Sequence, residues 1–420
     1  MLLSFRVANF RSLRTEQQLL LTPAYSDDEP AEVPWEALPV AGIFGANASG
    51  KSNVIDALAY MVAMVRESFR ESEPDGGVDR YPFALDPASL DEPSTFVVDV
   101  VIDDVRYTYG FALDDHCVIE EWMYSYPHKR KRVVFHRRGD EYSYGENSPE
   151  GLKQVAQLTE SNVLFLSVGV RSKQRVLLPV YEWFRRIAWR TSRDLALGMN
   201  LYSEGADLKR IVRLLRAADT GIEDAVLVAE SEEEYAARVN RLSGRRQGYE
   251  PPRRKRLTFR HRGADGKAVL SLGEQSTGTQ SLFRLARPAF GALDRGVPFV
   301  VDELDSSLHP FLTAQLIKLF RDRENNPHGA QLIFTSHDVS LLGRIQGEEV
   351  LKRDHIWFTE KDESGATELF PVSDFKPRKD ENRERRYLAG RYGAVPVVND
   401  ELFAAALAAR EVAVDVVEES

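Results

Sequence analysis

Eight consecutive residues, Gly45-Ala-Asn-Ala-Ser-Gly-Lys-Ser52, constrain this chain more than any other feature. They read G-x-x-x-x-G-K-[ST]. An apolar run, Pro39 to Phe44, precedes them, and Val54, Ile55, Leu58, Met61, Val62 and Val65 after them share one face of a 3.6-residue period. A strand feeding a glycine-rich turn and then a helix presents backbone N–H groups and the positive end of a helix dipole to phosphates. Glycine lets the backbone come close, Lys51 supplies charge for the β- and γ-phosphates, and Ser52 supplies an oxygen for Mg²⁺. The expected nucleotide-binding residues are therefore Gly45, Ala46, Asn47, Ala48, Ser49, Gly50, Lys51, Ser52 and Asn53, with ATP and Mg²⁺ as ligands.

Strand and helix patterns also alternate late in the chain: Phe299 to Val301, Leu312 to Phe320, Gln331 to Thr335, then a helix expected from Val339 to Ile345. That alternation is the signature of an α/β fold with a parallel sheet. The run Val297-Pro-Phe-Val-Val-Asp-Glu303 ends a buried strand in two carboxylates, which is costly unless they face a metal, water or a partner. Asp302 is the expected metal-side carboxylate and Glu303 the expected general base. Ser276 and Gly278 stand at the start of a helix expected over Thr279 to Phe290, where a hydroxyl and a glycine amide suit an anion; a plain helix cap explains the same residues. His337 follows the Gln331 strand, where an imidazole can reach a γ-phosphate; alone, it equally suits an ordinary surface position.

Between these blocks the pattern changes. Short runs from Thr95 to Tyr144, separated by turns such as Asp103-Asp104 and Gly139-Asp140, read as an antiparallel β-meander. The expected division is a head formed by residues 1–70 and 265–375, a meander over 80–147, a mainly helical insertion over 148–264 with a basic loop, and a charged tail over 376–420 with a terminal helix from Leu402 to Val416. The 420 residues carry a formal charge of −10, so nucleic acid has only local basic stretches to contact. These are His128 to Arg132 and Arg253 to Arg262; a solvated hairpin tip and loop is the alternative reading. Cys117, the single cysteine, reads as a small buried hydrophobe, in keeping with a reducing, cytoplasmic setting. No run reaches the ~18–20 apolar residues that cross a bilayer, so no membrane association is expected.

The order of these parts resembles a family. Gly45 to Ser52, a long insertion, Ser276-x-Gly278, Asp302-Glu303, Leu304-Asp-Ser-Ser-Leu-His-Pro310 and a strand leading to His337 resemble ABC-type ATPases of the SMC/RecF/OLD branch. Val7-Ala-Asn-Phe-Arg-Ser12 adds to the likeness. The resemblance implies a P-loop ABC-type head with ATP sandwiched between two copies. One copy would supply Gly45 to Ser52, Asp302, Glu303 and His337, the other Ser276 and Gly278, with Asp305 at the seam. The signature departs from the transporter form, reading Gln275-Ser-Thr-Gly-Thr, and no coiled-coil arm separates the lobes.

The meander and Arg386-Tyr-Leu-Ala-Gly-Arg-Tyr-Gly-Ala-Val-Pro396 further resemble stand-alone ATP-binding proteins of bacterial abortive-infection systems. This implies an Mg²⁺-dependent ATPase whose homodimer, with higher assembly left open, controls a nuclease-like effector in anti-phage defence. A RecF-like repair ATPase that binds DNA directly is the alternative, and a transporter subunit is disfavoured. The residues after His337 lack the clustered Asp-x-Asp carboxylates of a nuclease, so cleavage is expected in trans.

Overall fold

The computed structural model describes all residues except 26–36, 75, 147, 191–205, 244–254, 264–268, 380, 397–398 and 409–420. In chain order, β1 (Leu2–Ala8) and β2 (Gln17–Leu20) lead to β3 (Val40–Gly45) and the long helix α1 (Lys51–Glu71). A short α2 (Pro87–Asp91) precedes the hairpin strands β4 (Ser94–Ile102), β5 (Val105–Leu113), β6 (Val118–Tyr126), β7 (Arg132–Arg138) and β8 (Glu141–Tyr144). These five strands extend β1 and β2 into one antiparallel sheet of order β2-β1-β4-β5-β6-β7-β8. The β4–β5 turn shows why the sequence bends there: Asp103 and Asp104 both take positive φ, 48° and 61°, which suits a two-residue hairpin and which short polar side chains tolerate.

Helices α3 (Gly151–Ala156), α4 (Phe165–Arg171) and α5 (Leu178–Arg186) follow, then a strand β9 (Ala188–Arg190) within the stretch expected to be mainly helical. Three residues are too few to show a period. β9 is placed by pairing in parallel with β13, as Phe299↔Ala188 and Val301↔Arg190. Past α6 (Ala206–Ala217), the same stretch continues through β10 (Ile222–Ala229), α7 (Glu232–Ser243) and β11 (Lys255–His261), and β10 and β11 join β12 (Val269–Ser271), just beyond it, in a separate three-stranded antiparallel sheet. The basic residues Arg253 and Arg254 lie outside the described residues.

The remaining elements are α8 (Thr277–Arg295), β13 (Pro298–Val301), α9 (Pro310–Arg321), β14 (Gln331–Thr335), the two-residue strands β15 (Arg344–Ile345) and β16 (Glu348–Glu349), β17 (Ile356–Lys361), β18 (Thr367–Pro371), α10 (Arg383–Leu388) and α11 (Asp400–Ala408). Instead of the helix expected from Val339, one 3₁₀ turn (Val339–Leu342) stops at Gly343, and the chain turns into β15. Part of the expected charged tail is core: Tyr387 and Tyr392 stack on Phe358 of β17 with ring centroids 5.3 Å and 5.5 Å apart. Of the terminal helix expected from Leu402 to Val416, only the part up to Ala408 falls among the described residues, within α11. Cys117 is half-buried rather than buried.

The central sheet has the order β18-β17-β3-β14-β13-β9, parallel except for β18. Its inner strands are apolar on both faces because both are covered. Ala41, Ile43, Val300 and Ile333 share one core with α1 and the antiparallel sheet, whereas Val40, Phe44, Phe299, Val301 and Phe334 share another with α8 and α9. Among the described residues, no helix is long and apolar enough to cross a membrane.

Candidate active site

The carboxyl ends of β3, β13 and β14 meet at one rim of the central sheet, the place where open α/β sheets bind ligands. From β3 the chain passes through Gly45 to Gly50 into α1. The first turn of α1 has no side-chain cap, so its leading amides remain directed at the loop. Gly50 takes φ 100°, and a Cβ there would collide with Thr367 Oγ1, so neither the conformation nor the space admits a side chain. Behind the loop stands a hydroxyl network. Ser49 Oγ pairs with Thr359 Oγ1 at 2.7 Å, Thr367 Oγ1 donates to the Ser49 carbonyl at 2.9 Å, and Asn53 Nδ2 donates to Ser12 Oγ at 2.6 Å.

Lys51 is buried, and its ammonium donates to the carbonyls of Gly45 and Ala46, both at 2.8 Å. Burial pulls its pKa below the ordinary lysine value, opposed by the negative charges of Asp302, Glu303 and Asp305. A desolvated cation resting on two loop carbonyls is poised for an anion.

Ser52 Oγ donates to Asp302 Oδ1 at 3.0 Å, joining the start of α1 to the end of β13. The same oxygen accepts from Thr335 Oγ1 at 2.6 Å, and Thr335 Oγ1 accepts the Glu303 amide at 2.7 Å. Glu303 is exposed with φ 54°, so its carboxylate leaves the strand toward solvent. Asp305 is half-buried, and its two carboxylate oxygens each lie 3.3 Å from the His337 backbone nitrogen. The His337 side chain is exposed at the same rim. The site thus brings together the P-loop, Ser52, Asp302, Glu303, Asp305 and His337.

Ser276 and Gly278 are placed differently. Ser276 is the N-cap of α8: its Oγ accepts the Thr279 amide at 3.2 Å and pairs with Thr279 Oγ1 at 2.9 Å. A Cβ on Gly278 would stand 2.9 Å from the Ser307 carbonyl, so this helix start packs against the loop after β13. Among the described residues, no hydrogen bond joins Ser276 to the P-loop of its own chain. A cavity opens beside Asp302 and Glu303, lined also by Arg190, Thr277, Gln280 and Arg284.

Sequence reasoning passed over Thr335, Thr359, Thr367 and Arg190, and did not give Ser12 a role in the site. Only Thr335 left a signal, as a polar residue closing the apolar run Leu332 to Phe334 beside an Asp-Glu strand. The others act through register, which a linear pattern does not carry.

The family described as "AAA domain, putative AbiEii toxin, Type IV TA system" matches residues 40–343, which contain the P-loop, Asp302, Glu303 and His337. The chain belongs to this family. Its AAA domain makes the P-loop site one of nucleotide-binding, ATPase type. No curated protein matches the chain. Solved structures similar in fold include the SMC head domain from Thermotoga maritima, with 16% identity and TM-score 0.41, covering 88% of this chain and 98% of that one. Another is an SmcHead bound to the C-winged helix domain of ScpA, with 12% identity and TM-score 0.44, covering 89% of this chain and 99% of that one.

Proposed function

We propose that this chain is an Mg²⁺-dependent ATPase whose ATP-driven homodimerisation switches an effector protein, nuclease-like and supplied in trans, in bacterial anti-phage defence. The observation that carries the ATPase reading is the meeting of Ser52, Asp302 and Thr335 at the foot of an uncapped P-loop helix. A hydroxyl and a carboxylate 3.0 Å apart form the hard oxygen donor set that suits Mg²⁺, with substrate phosphates completing the shell. Bound there through Ser52 and Asp302, Mg²⁺ would neutralise phosphate charge.

The chain's own residues do the rest. Lys51 exchanges the Gly45 and Ala46 carbonyls for the β- and γ-phosphates. The P-loop amides hold the phosphate oxygens. Glu303 accepts the proton of the water that attacks the γ-phosphorus, and His337 donates toward the γ-phosphate. Ser276 and Gly278, exposed or half-exposed at the α8 start, would complete the site of the opposite copy, with Asp305 at the seam. The defence role draws on the family's description and on the tail motif Arg386 to Pro396.

The test is to mix Ser276→Arg chains with Lys51→Ala chains, each inactive alone. A heterodimer holds one composite site with both halves intact, so random mixing should restore about a quarter of the wild-type rate. No recovery in verified heterodimers would remove the sandwich. A second reading, direct action on DNA, draws on the exposed tip His128 to Arg132 between β6 and β7. ATPase stimulation by DNA that fades with salt would favour it.

A further inference from the structure

We infer that Thr335 is a positioning residue for hydrolysis, its single hydroxyl setting both the metal-side carboxylate of Asp302 and the turn that carries Glu303. The inference rests on the ATPase reading above. Thr335 ends β14 and is fully buried. Val301 pairs with Phe334, so the next residue of each strand, Asp302 and Thr335, lie side by side where the sheet stops.

A threonine hydroxyl has one hydrogen to give and lone pairs to accept with. Here the hydrogen goes to Asp302 Oδ1 at 2.6 Å, and a lone pair receives the Glu303 N–H at 2.7 Å. The Thr335 carbonyl accepts the Leu304 amide at 3.0 Å, so three successive residues are fastened to this one.

Each bond has its own consequence. The first fixes the rotation of the Asp302 carboxylate, whose Oδ1 also receives the Ser52 hydroxyl, so the oxygens offered to a cation are held before it arrives. The second holds a left-handed residue. Glu303 has φ 54°, a conformation a non-glycine residue keeps only when its surroundings hold it, and among the described residues no hydrogen bond or ion pair holds its exposed side chain. Threonine suits the task because its β-branch leaves χ1 few choices, so the hydroxyl direction is preset by the strand. The sequence offers the contrast itself: the neighbouring Ser336, equally buried, uses its hydroxyl to accept the Asp338 amide at 3.0 Å and plays no part in fixing Asp302.

The test compares Thr335→Val, equal in shape but without the hydroxyl, with Thr335→Ser, which keeps it. The measurements are kcat, KM for ATP, the thermal midpoint, and the Mg²⁺ concentration that half-saturates binding of a fluorescent ATP analogue. In Thr335→Val, kcat should fall roughly 30-fold or more while KM stays within about 2-fold, and half-saturating Mg²⁺ should rise about 5-fold. Thr335→Ser should stay within about 3-fold of wild type throughout. If the valine variant is unstable, Thr335→Cys replaces it, with an intermediate loss of kcat expected. Wild-type kcat and Mg²⁺ response in the valine or cysteine variant would overturn the inference. So would equal losses in the valine and serine variants. A wild-type chain without Mg²⁺-dependent turnover would instead sink the ATPase reading, and the Mg²⁺ titration of analogue binding would then decide the role of Thr335 alone.

Discussion

Two carboxylates in this molecule sit in opposite circumstances. Glu121, mid-strand in β6, is fully buried and fully used: it accepts the Phe165 and Leu166 amides at 2.6 Å and 3.0 Å and the Tyr109 hydroxyl at 3.0 Å. Arg137 lies 3.9 Å away and is itself spent on the carbonyls of Gly139, Val163, Glu160 and Ser161. Burial pushes the Glu121 carboxyl up, and Arg137 and these donors push it back. Glu303, two residues past β13, is exposed and, among the described residues, held only through its backbone. A buried charge with both oxygens engaged by its own fold can stabilise but cannot react. A carboxylate with its backbone fixed and its oxygens uncommitted can take a proton from a substrate.

The sharpest way to break this contrast is Glu303→Gln. Turnover should fall by ~10²–10⁴-fold, with ATP retained and the thermal midpoint unchanged, because nothing in the core depends on that side chain. Turnover at the wild-type rate would remove Glu303 as the base. The converse change, Glu121→Ala, should cost about 3–5 kcal/mol in urea unfolding by stranding Arg137, while kcat per folded molecule stays level. A variant as stable as the parent would show that the pair carries no structural weight.

Another buried titratable group sharpens the comparison at smaller amplitude. His355 is fully buried, and burial together with Arg321, Lys352 and Arg383 pushes its pKa well below the ordinary value. The folded chain therefore refuses a proton that the unfolded chain accepts below about pH 6.5, so stability should fall as pH drops through that point, by at most ~1.4 kcal/mol per pH unit. His355→Asn should flatten this acid limb. An unchanged slope would assign the acid lability to other groups.

How much of this was readable beforehand follows from how each feature is written into the chain. The phosphate loop is eight contiguous residues, so its pattern survives in one dimension. The Asp302-Glu303 pair stands out because an apolar run stops there. The meander shows through alternation punctuated by turns such as Asp103-Asp104. By contrast, β9 is three residues long and exists through its pairing with β13. The region from Val339 has helical spacing, yet Gly343 stops it after one 3₁₀ turn. Tyr387 and Tyr392 sit among charged residues that suggest solvent, but their rings face Phe358. Thr335 and Thr359 acquire their partners only when strand ends are brought into register, which no local window contains.

The hydroxyl network behind the P-loop also sets a schedule. Thr367 reaches Ser49 across 318 residues of chain. At about 5–20 residues per second, a ribosome needs roughly 15–60 s after making the loop to deliver the strand that braces it. Throughout that interval the nascent chain carries a phosphate-binding motif without its backing, and for most of it without Asp302 and Glu303. The braced form of the loop therefore waits until β18 has been made, and a chain that stalls before it is born without that brace.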